Sequence, residues 1–149
     1  MSDWIHGWTG TGGGDELGPL QLAWLGDAVW ELHQRLRHCR SPGRADVLHR
    51  AVVDQVCADA QARALKQLEP LLDDRELDLV RRGRNRAGRG PRRGDAAVYG
   101  MATGFETMVG WLFLNNPARL AQLLDSLESD GSDPSPPSAH TSVAHDTSL

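Results

Sequence analysis

The sequence predicts an all-α fold, a bundle of helices around one core, on three observations. Apolar residues recur in steps of three and four over several stretches, the spacing of a single helical face. Asn116-Pro117 has the form of a helix start, with Asn at the N-cap and Pro in the first turn. No stretch alternates apolar and polar residues as a half-buried strand would. Helices joined by short connections bury their apolar stripes against one another, so a helical bundle follows.

The elements follow in order. From Pro19, the residues Leu22, Leu25, Val29, Leu32 and Leu36 make one stripe, which places Asp27 nearly opposite it with Ala23, Glu31 and Gln34; Ser41-Pro42-Gly43 ends that helix. A second helical region spans about 46–68, with Leu48, Val52, Val56 and Leu65 near one face. A short helix over about 73–81 uses Leu77 and Val80. The stretch 83–94 is rich in Gly and Arg and reads as a loop. Val98, Met101, Phe105, Met108 and Leu112 then repeat the stripe, and Leu120, Leu123, Leu124 and Leu127 line the last helix.

A chain of 149 residues has room for one domain with a real core. Gly10-Thr11-Gly12-Gly13-Gly14 marks residues 1–16 as a flexible tail, in which Trp4 and Trp8 are unusual, and the Ser/Pro/Asp/His-rich stretch 129–149 reads as a second tail. The domain is therefore expected over 17–128. The net charge of −4 taken whole argues against a nucleic-acid binder. The charges are segregated, however: Arg81, Arg82, Arg84, Arg86, Arg89, Arg92 and Arg93 share one stretch with no acid among them. Local charge decides contact with a phosphate backbone. Cys39 and Cys57 have no metal-ligand or redox spacing, no signal pattern opens the chain, and no apolar run approaches the roughly 20 residues of a membrane span. A soluble cytoplasmic protein is the expectation.

Two carboxylates stand on apolar, helix-patterned segments. Asp27 follows Gly26, which costs a helix roughly 1 kcal/mol relative to Ala and permits close approach by another helix or a ligand. Glu106 flanks its stripe, bracketed by Gly104 and Gly110. Spacing alone leaves each with two readings: Asp27 is a solvated residue or a ligand, and Glu106 is a boundary residue paired with an arginine or a ligand. His33, His38 and His49 read as core-edge or surface residues. Trp24, Trp30 and Trp111 suit a core or a symmetric interface equally.

Leu22-Ala23-Trp24-Leu25-Gly26-Asp27-Ala28-Val29 resembles the signature helix of the ribonuclease III catalytic domain, and Phe105-Glu106-Thr107-Met108-Val109-Gly110 resembles that family's second acidic helix. The run from Arg82-Gly83-Arg84-Asn85 through Asp95, Tyr99 and Thr103 to Gly110-Trp111-Leu112-Phe113-Leu114 is similar to the Mini-ribonuclease III subfamily, as is Gly26-Asp27-Ala28-Val29-Trp30-Glu31. The resemblance covers about residues 20–127. It implies a ribonuclease III-type helical bundle, a homodimer, double-stranded RNA as substrate and a divalent cation, normally Mg2+. In the subfamily the substrate is the 23S ribosomal RNA precursor, whose ends are matured, and a ribosomal protein on that substrate stays open as a helper.

Carried over residue by residue, Asp27 and Glu106 are the catalytic and metal-binding residues. Arg81, Arg82, Arg84, Asn85, Arg86, Arg89, Arg92 and Arg93 are the expected RNA contacts, because arginine forks suit phosphate oxygens and duplex RNA is read through its backbone. The chain departs from the ribonuclease III pattern at Ala23 and Thr103, where that family places further acids. Glu31, one turn from Asp27, is a further candidate. The alternative to an enzyme is a catalytically silent module that binds structured RNA. A helical adaptor that binds protein through its tryptophan faces is the third reading.

Overall fold

The computed structural model describes residues 16–40 and 42–129. The expected tails, with Trp4 and Trp8, lie outside the described residues except at their inner ends. Six α-helices follow one another: α1 Pro19–Cys39, α2 Ala45–Val56, α3 Ala58–Leu68, α4 Asp74–Arg86, α5 Ala96–Asn115 and α6 Pro117–Ser129, with a 3-10 turn Glu69–Leu71 before α4. No strand forms among the described residues.

Polar side chains open the later helices. In α4 the Asp73 carboxylate accepts from the Glu76 N–H at 2.8 Å while Glu76 accepts from the Asp73 N–H at 3.0 Å, a reciprocal cap. Asp95 caps α5 by accepting from the Ala97 N–H at 2.8 Å. Asn116 caps α6 by accepting from the Arg119 N–H at 3.2 Å, with Pro117 next, as the sequence predicts. Glu76 is buried and is held by the Arg119 guanidinium at 2.9 Å, which pins α6 to the start of α4. A buried carboxylate needs such a partner.

α5 is the central helix. α1, α3 and α4 pack along it, and α6 folds back on its end. Phe105, Met108, Val109 and Leu112 are fully buried, together with Leu65, Leu68, Leu79 and Leu123 from the surrounding helices. The stripe expected on α5 is thus only part of its buried surface, because neighbours cover it on several sides.

Three expectations are corrected. The region 46–68 is two helices: Cys57 adopts an extended conformation (φ −70°, ψ 159°) and divides α2 from α3. The Gln55 carbonyl, in the last turn of α2 and so without an intrahelical partner, accepts instead from the indole of buried Trp30 at 2.8 Å. The helix expected over 73–81 runs on to Arg86, so Arg84, Asn85 and Arg86, expected in the loop 83–94, are helical, as is Arg82 before them. Gly83 sits in that helix where a Cβ would collide with Thr107 of α5.

The third correction concerns α1. Its buried residues are Leu22, Ala23, Gly26, Trp30 and Gln34, a face rotated by about a third of a turn from the expected stripe. Leu32 and Leu36 are half exposed. The reason is Gly26. A Cβ there would fall on the carbonyl oxygen of Glu106, and one on Gly110 would fall on the carbonyl oxygen of Leu22. Two facing glycines let α1 and α5 touch backbone to backbone, and that contact outweighs the leucine stripe.

Candidate active site

The Gly26–Gly110 contact sets the site. Asp27 leaves α1 one residue after the contact and Glu106 leaves α5 one turn before it. The side expected to be the outer face of α1 is therefore the wall of a cavity of about 350 Å³, where α1, α3 and α5 converge. Asp27, Glu106, Gln61, Tyr99, Thr103 and Ala23 line it, with Trp24 and Leu20 at its edge. Asp27 is exposed and Glu106 half-buried.

The two carboxyl groups line one cavity, close enough for the charge of one to act on the other. Burial pushes the Glu106 carboxyl up to about 7, the amide of Gln61 pulls it down, and the nearby Asp27 carboxyl adds to the rise. A carboxylate pair that resists double ionisation is a place where a cation is favoured.

The donor set fits a divalent cation. Among the described residues no group of three or more His, Cys, Asp or Glu side chains gathers. Magnesium is commonly held through one or two carboxylates, waters and substrate phosphates, so the pair is enough. Ala23 and Thr103 line the same cavity and supply no carboxylate, and the Thr103 hydroxyl donates to the Tyr99 carbonyl at 3.0 Å.

A family model described as the ribonuclease III domain matches residues 20–117. The chain belongs to the ribonuclease III domain family. It is 49% identical over 112 residues to a Mini-ribonuclease 3 of a Synechococcus strain, spanning 75% of this chain and 81% of that one. It is 50% identical over 103 residues to a Mini-ribonuclease 3 of Gloeobacter violaceus, spanning 69% and 76%. A Fusobacterium nucleatum protein solved by X-ray crystallography superposes with a TM-score of 0.70 at 25% identity, covering 77% of this chain and 94% of that chain. The helical bundle described above is thus a ribonuclease III-type all-α fold.

Of the residues expected in this ribonuclease III domain to act on metal, the structure brings Asp27 and Glu106 together. Glu31 does not join them; it pairs with Arg35 at 2.8 Å, one turn along α1. His33 lies near the ring of Trp30 and beside Glu128 of α6 at 3.5 Å, and burial lowers its pKa. None of His33, His38 and His49 lines the cavity.

The arginines divide into two sets. Arg81, Arg82, Arg84 and Arg86, with Asn85, ride on exposed positions of α4. Arg81 is paired with Asp78 on its own helix, and Arg82 borders a small recess beside Pro19, Thr107 and Trp111. Arg89, Arg92 and Arg93 lie in the loop before α5. That loop turns at Gly90 (φ +69°), where a Cβ would press into the ring of Tyr99. Tyr99 lines the Asp27–Glu106 cavity, so the loop reaches that cavity through Gly90; among the described residues no arginine lines it, and Arg89 and Arg92 line a separate recess with Pro91, Gly94 and Ala96.

The tryptophans also separate. Trp30 is core, edge-on to Phe105 at 5.1 Å. Trp24 is 82% exposed at the edge of the cavity. Trp111 is half-buried with the Arg75 guanidinium 5.0 Å over its ring. Gln61 is the residue that sequence reasoning missed: it sits on the hydrophilic-looking segment Asp59-Ala60-Gln61, and only the packing of α3 on α5 turns it inward.

Proposed function

We propose that Asp27 and Glu106 hold a divalent cation, Mg2+ in the cell, and that the chain cleaves RNA duplexes there. The enzyme class rests on family: membership in the ribonuclease III domain family, with Mini-ribonuclease 3 relatives, makes this a double-strand-specific endoribonuclease. The observation that carries the site is the convergence of two carboxyl groups from distant helices in one cavity, where the charge of Asp27 helps to raise the Glu106 carboxyl.

When bound, the ion polarises the scissile phosphodiester for attack by water. The chain does the rest. Asp27 and Glu106 supply the negative charge that fixes the ion's place, and both must be ionised to do so. Arg89, Arg92 and Arg93 bind the ribose-phosphate backbone beside the cavity, while Arg82, Arg84, Asn85 and Arg86 extend that contact along α4. Because these contacts are to phosphate, affinity falls steeply with salt.

The active unit is a homodimer. Trp24 and Leu20 at the cavity edge, and Leu32 and Leu36 further along α1, are exposed apolar surface on one helix, the kind of patch that marks an interface. The precursor of 23S ribosomal RNA is the substrate that the Mini-ribonuclease 3 likeness supports, with a ribosomal protein on that precursor as a helper. A cytoplasmic setting accords with two free cysteines and with the absence, among the described residues, of any helix long and apolar enough to cross a membrane.

The test is purified protein with a duplex RNA and Mg2+. Cleavage that Asp27→Asn lowers at least about a hundredfold, the upper range for removing even a group that only supports a metal ligand, backs the reading. Salt-sensitive RNA binding without cleavage in the wild type would replace it with the silent binding module that Ala23 and Thr103 suggest.

A further inference from the structure

Gln61 is 1% exposed, yet it lines the cavity that holds Asp27 and Glu106. Its Nε2 has no hydrogen-bond partner of good geometry. A buried N–H left unpaired costs about 1–3 kcal/mol. The other amide in that condition, Gln34, accepts from Arg37 at 3.4 Å and lies outside this cavity. Gln61 alone combines an unspent donor with a place in the site. Val56, Ala58 and Ala102 add apolar wall to that cavity, and Asp27, Glu106, Tyr99 and Thr103 add side-chain oxygens. Of those oxygens, the Glu106 carboxyl is the one on which the Gln61 amide acts.

We propose that Gln61 is a positioning residue for Glu106: its Nε2–H donates to one carboxylate oxygen and so presents the other to the divalent cation. This rests on the reading of Asp27 and Glu106 as the ion's ligands. In the metal-free protein the Nε2 donor has no partner. A carboxylate that would hold the cation is ionised, and an ionised carboxylate is a stronger acceptor than a neutral group. The unpaired donor is then satisfied. α3 is a suitable base for such a donor, since Leu65 and Leu68 anchor it in the core against α5. The position one turn before Asp27 is Ala23, so no acid on α1 shares this task.

The experiment titrates Mn2+ into the metal-free full chain, without RNA, by calorimetry or by electron paramagnetic resonance. Gln61→Met keeps volume and removes the donor; Gln61→Asn keeps the amide but withdraws it by one methylene. Both are expected to weaken Mn2+ binding about tenfold or more, the size of effect seen when a group that orients a metal ligand is removed. The melting temperature in chelator should hold or rise for Gln61→Met, because an unpaired buried donor disappears. Should Gln61→Met fail to fold, Gln61→Asn decides. Wild-type Mn2+ affinity in the folded variants, with Asp27→Asn abolishing binding, overturns the role of Gln61 and leaves the ion site standing. No Mn2+ binding by the wild type overturns the ion site and this role with it.

Discussion

Gly26 of α1 lies so close to the Glu106 carbonyl of α5 that a methyl group in place of its hydrogen would overlap that oxygen. The contact places Asp27, its neighbour, beside the Glu106 side chain. Helix crossing and candidate active site are therefore one feature of the fold.

Gly26→Ala is expected to cost about 3 kcal/mol of folding stability, the upper range for forcing one carbon into a packed interior. Backbone atoms receive the clash, and they yield less than a side-chain tip would. Denaturant unfolding measures the loss. RNA cleavage at a temperature where the variant is still folded should fall as well, since α1 and α5 must separate to fit the methyl group. Full activity in a folded variant would break the link between the crossing and the site.

Stability of the metal-free protein should fall as pH rises from about 5 to about 8. The folded Glu106 carboxyl titrates at about 7 against an ordinary value of 4.5, so over that window the folded state keeps a proton that the unfolded state has lost. Unfolding then releases a proton, and stability drops with rising pH by on the order of 2 kcal/mol. Thermal unfolding in chelator reads this. Glu106→Gln should flatten the dependence, and adding a divalent cation should flatten it too by stabilising the ionised pair.

The loop arginines should matter more than the helical ones. Replacing Arg89, Arg92 and Arg93 together by Ala is expected to reduce the slope of log affinity against log salt by up to about 3, one for each phosphate no longer neutralised. Arg81→Ala should change it least, because Asp78 already holds that guanidinium. Gly90→Ala should act in the same direction as the triple replacement: its φ of +69° and the Tyr99 ring both oppose a Cβ, so the loop must shift. Filter binding across a salt series with a duplex RNA measures all three.

Trp24→Arg should convert the proposed homodimer to monomer without unfolding the protomer. The side chain is 82% exposed in the single chain, so the fold does not depend on it. Loss of a central aromatic from an interface costs about 2 kcal/mol or more, which raises the dissociation constant about thirtyfold. Sedimentation over a concentration series would show it, and an unchanged dimer would move the interface elsewhere.

Sequence pattern was enough for the helices whose ends carry their own chemistry. Asn116-Pro117 starts α6 where its cap geometry says it should, and the apolar spacing of α5 marked it as a helix but not as one covered on several sides. Asp27 and Glu106 were legible through motif resemblance, since nothing in their local spacing separates a ligand from a solvated or paired acid. Propensity, caps and the two acidic helix motifs are local, each encoded within a few neighbouring residues. The tertiary structure alone decided which face of α1 is buried, that Cys57 divides α2 from α3, that Arg82 to Arg86 are helical, and that Gln61 points into the cavity. Each of these depends on a neighbour distant in the chain, the Gly26–Gly110 crossing, the Trp30 bond to Gln55 or the packing of α4 and α3 on α5, and a contact between distant segments has no local signature.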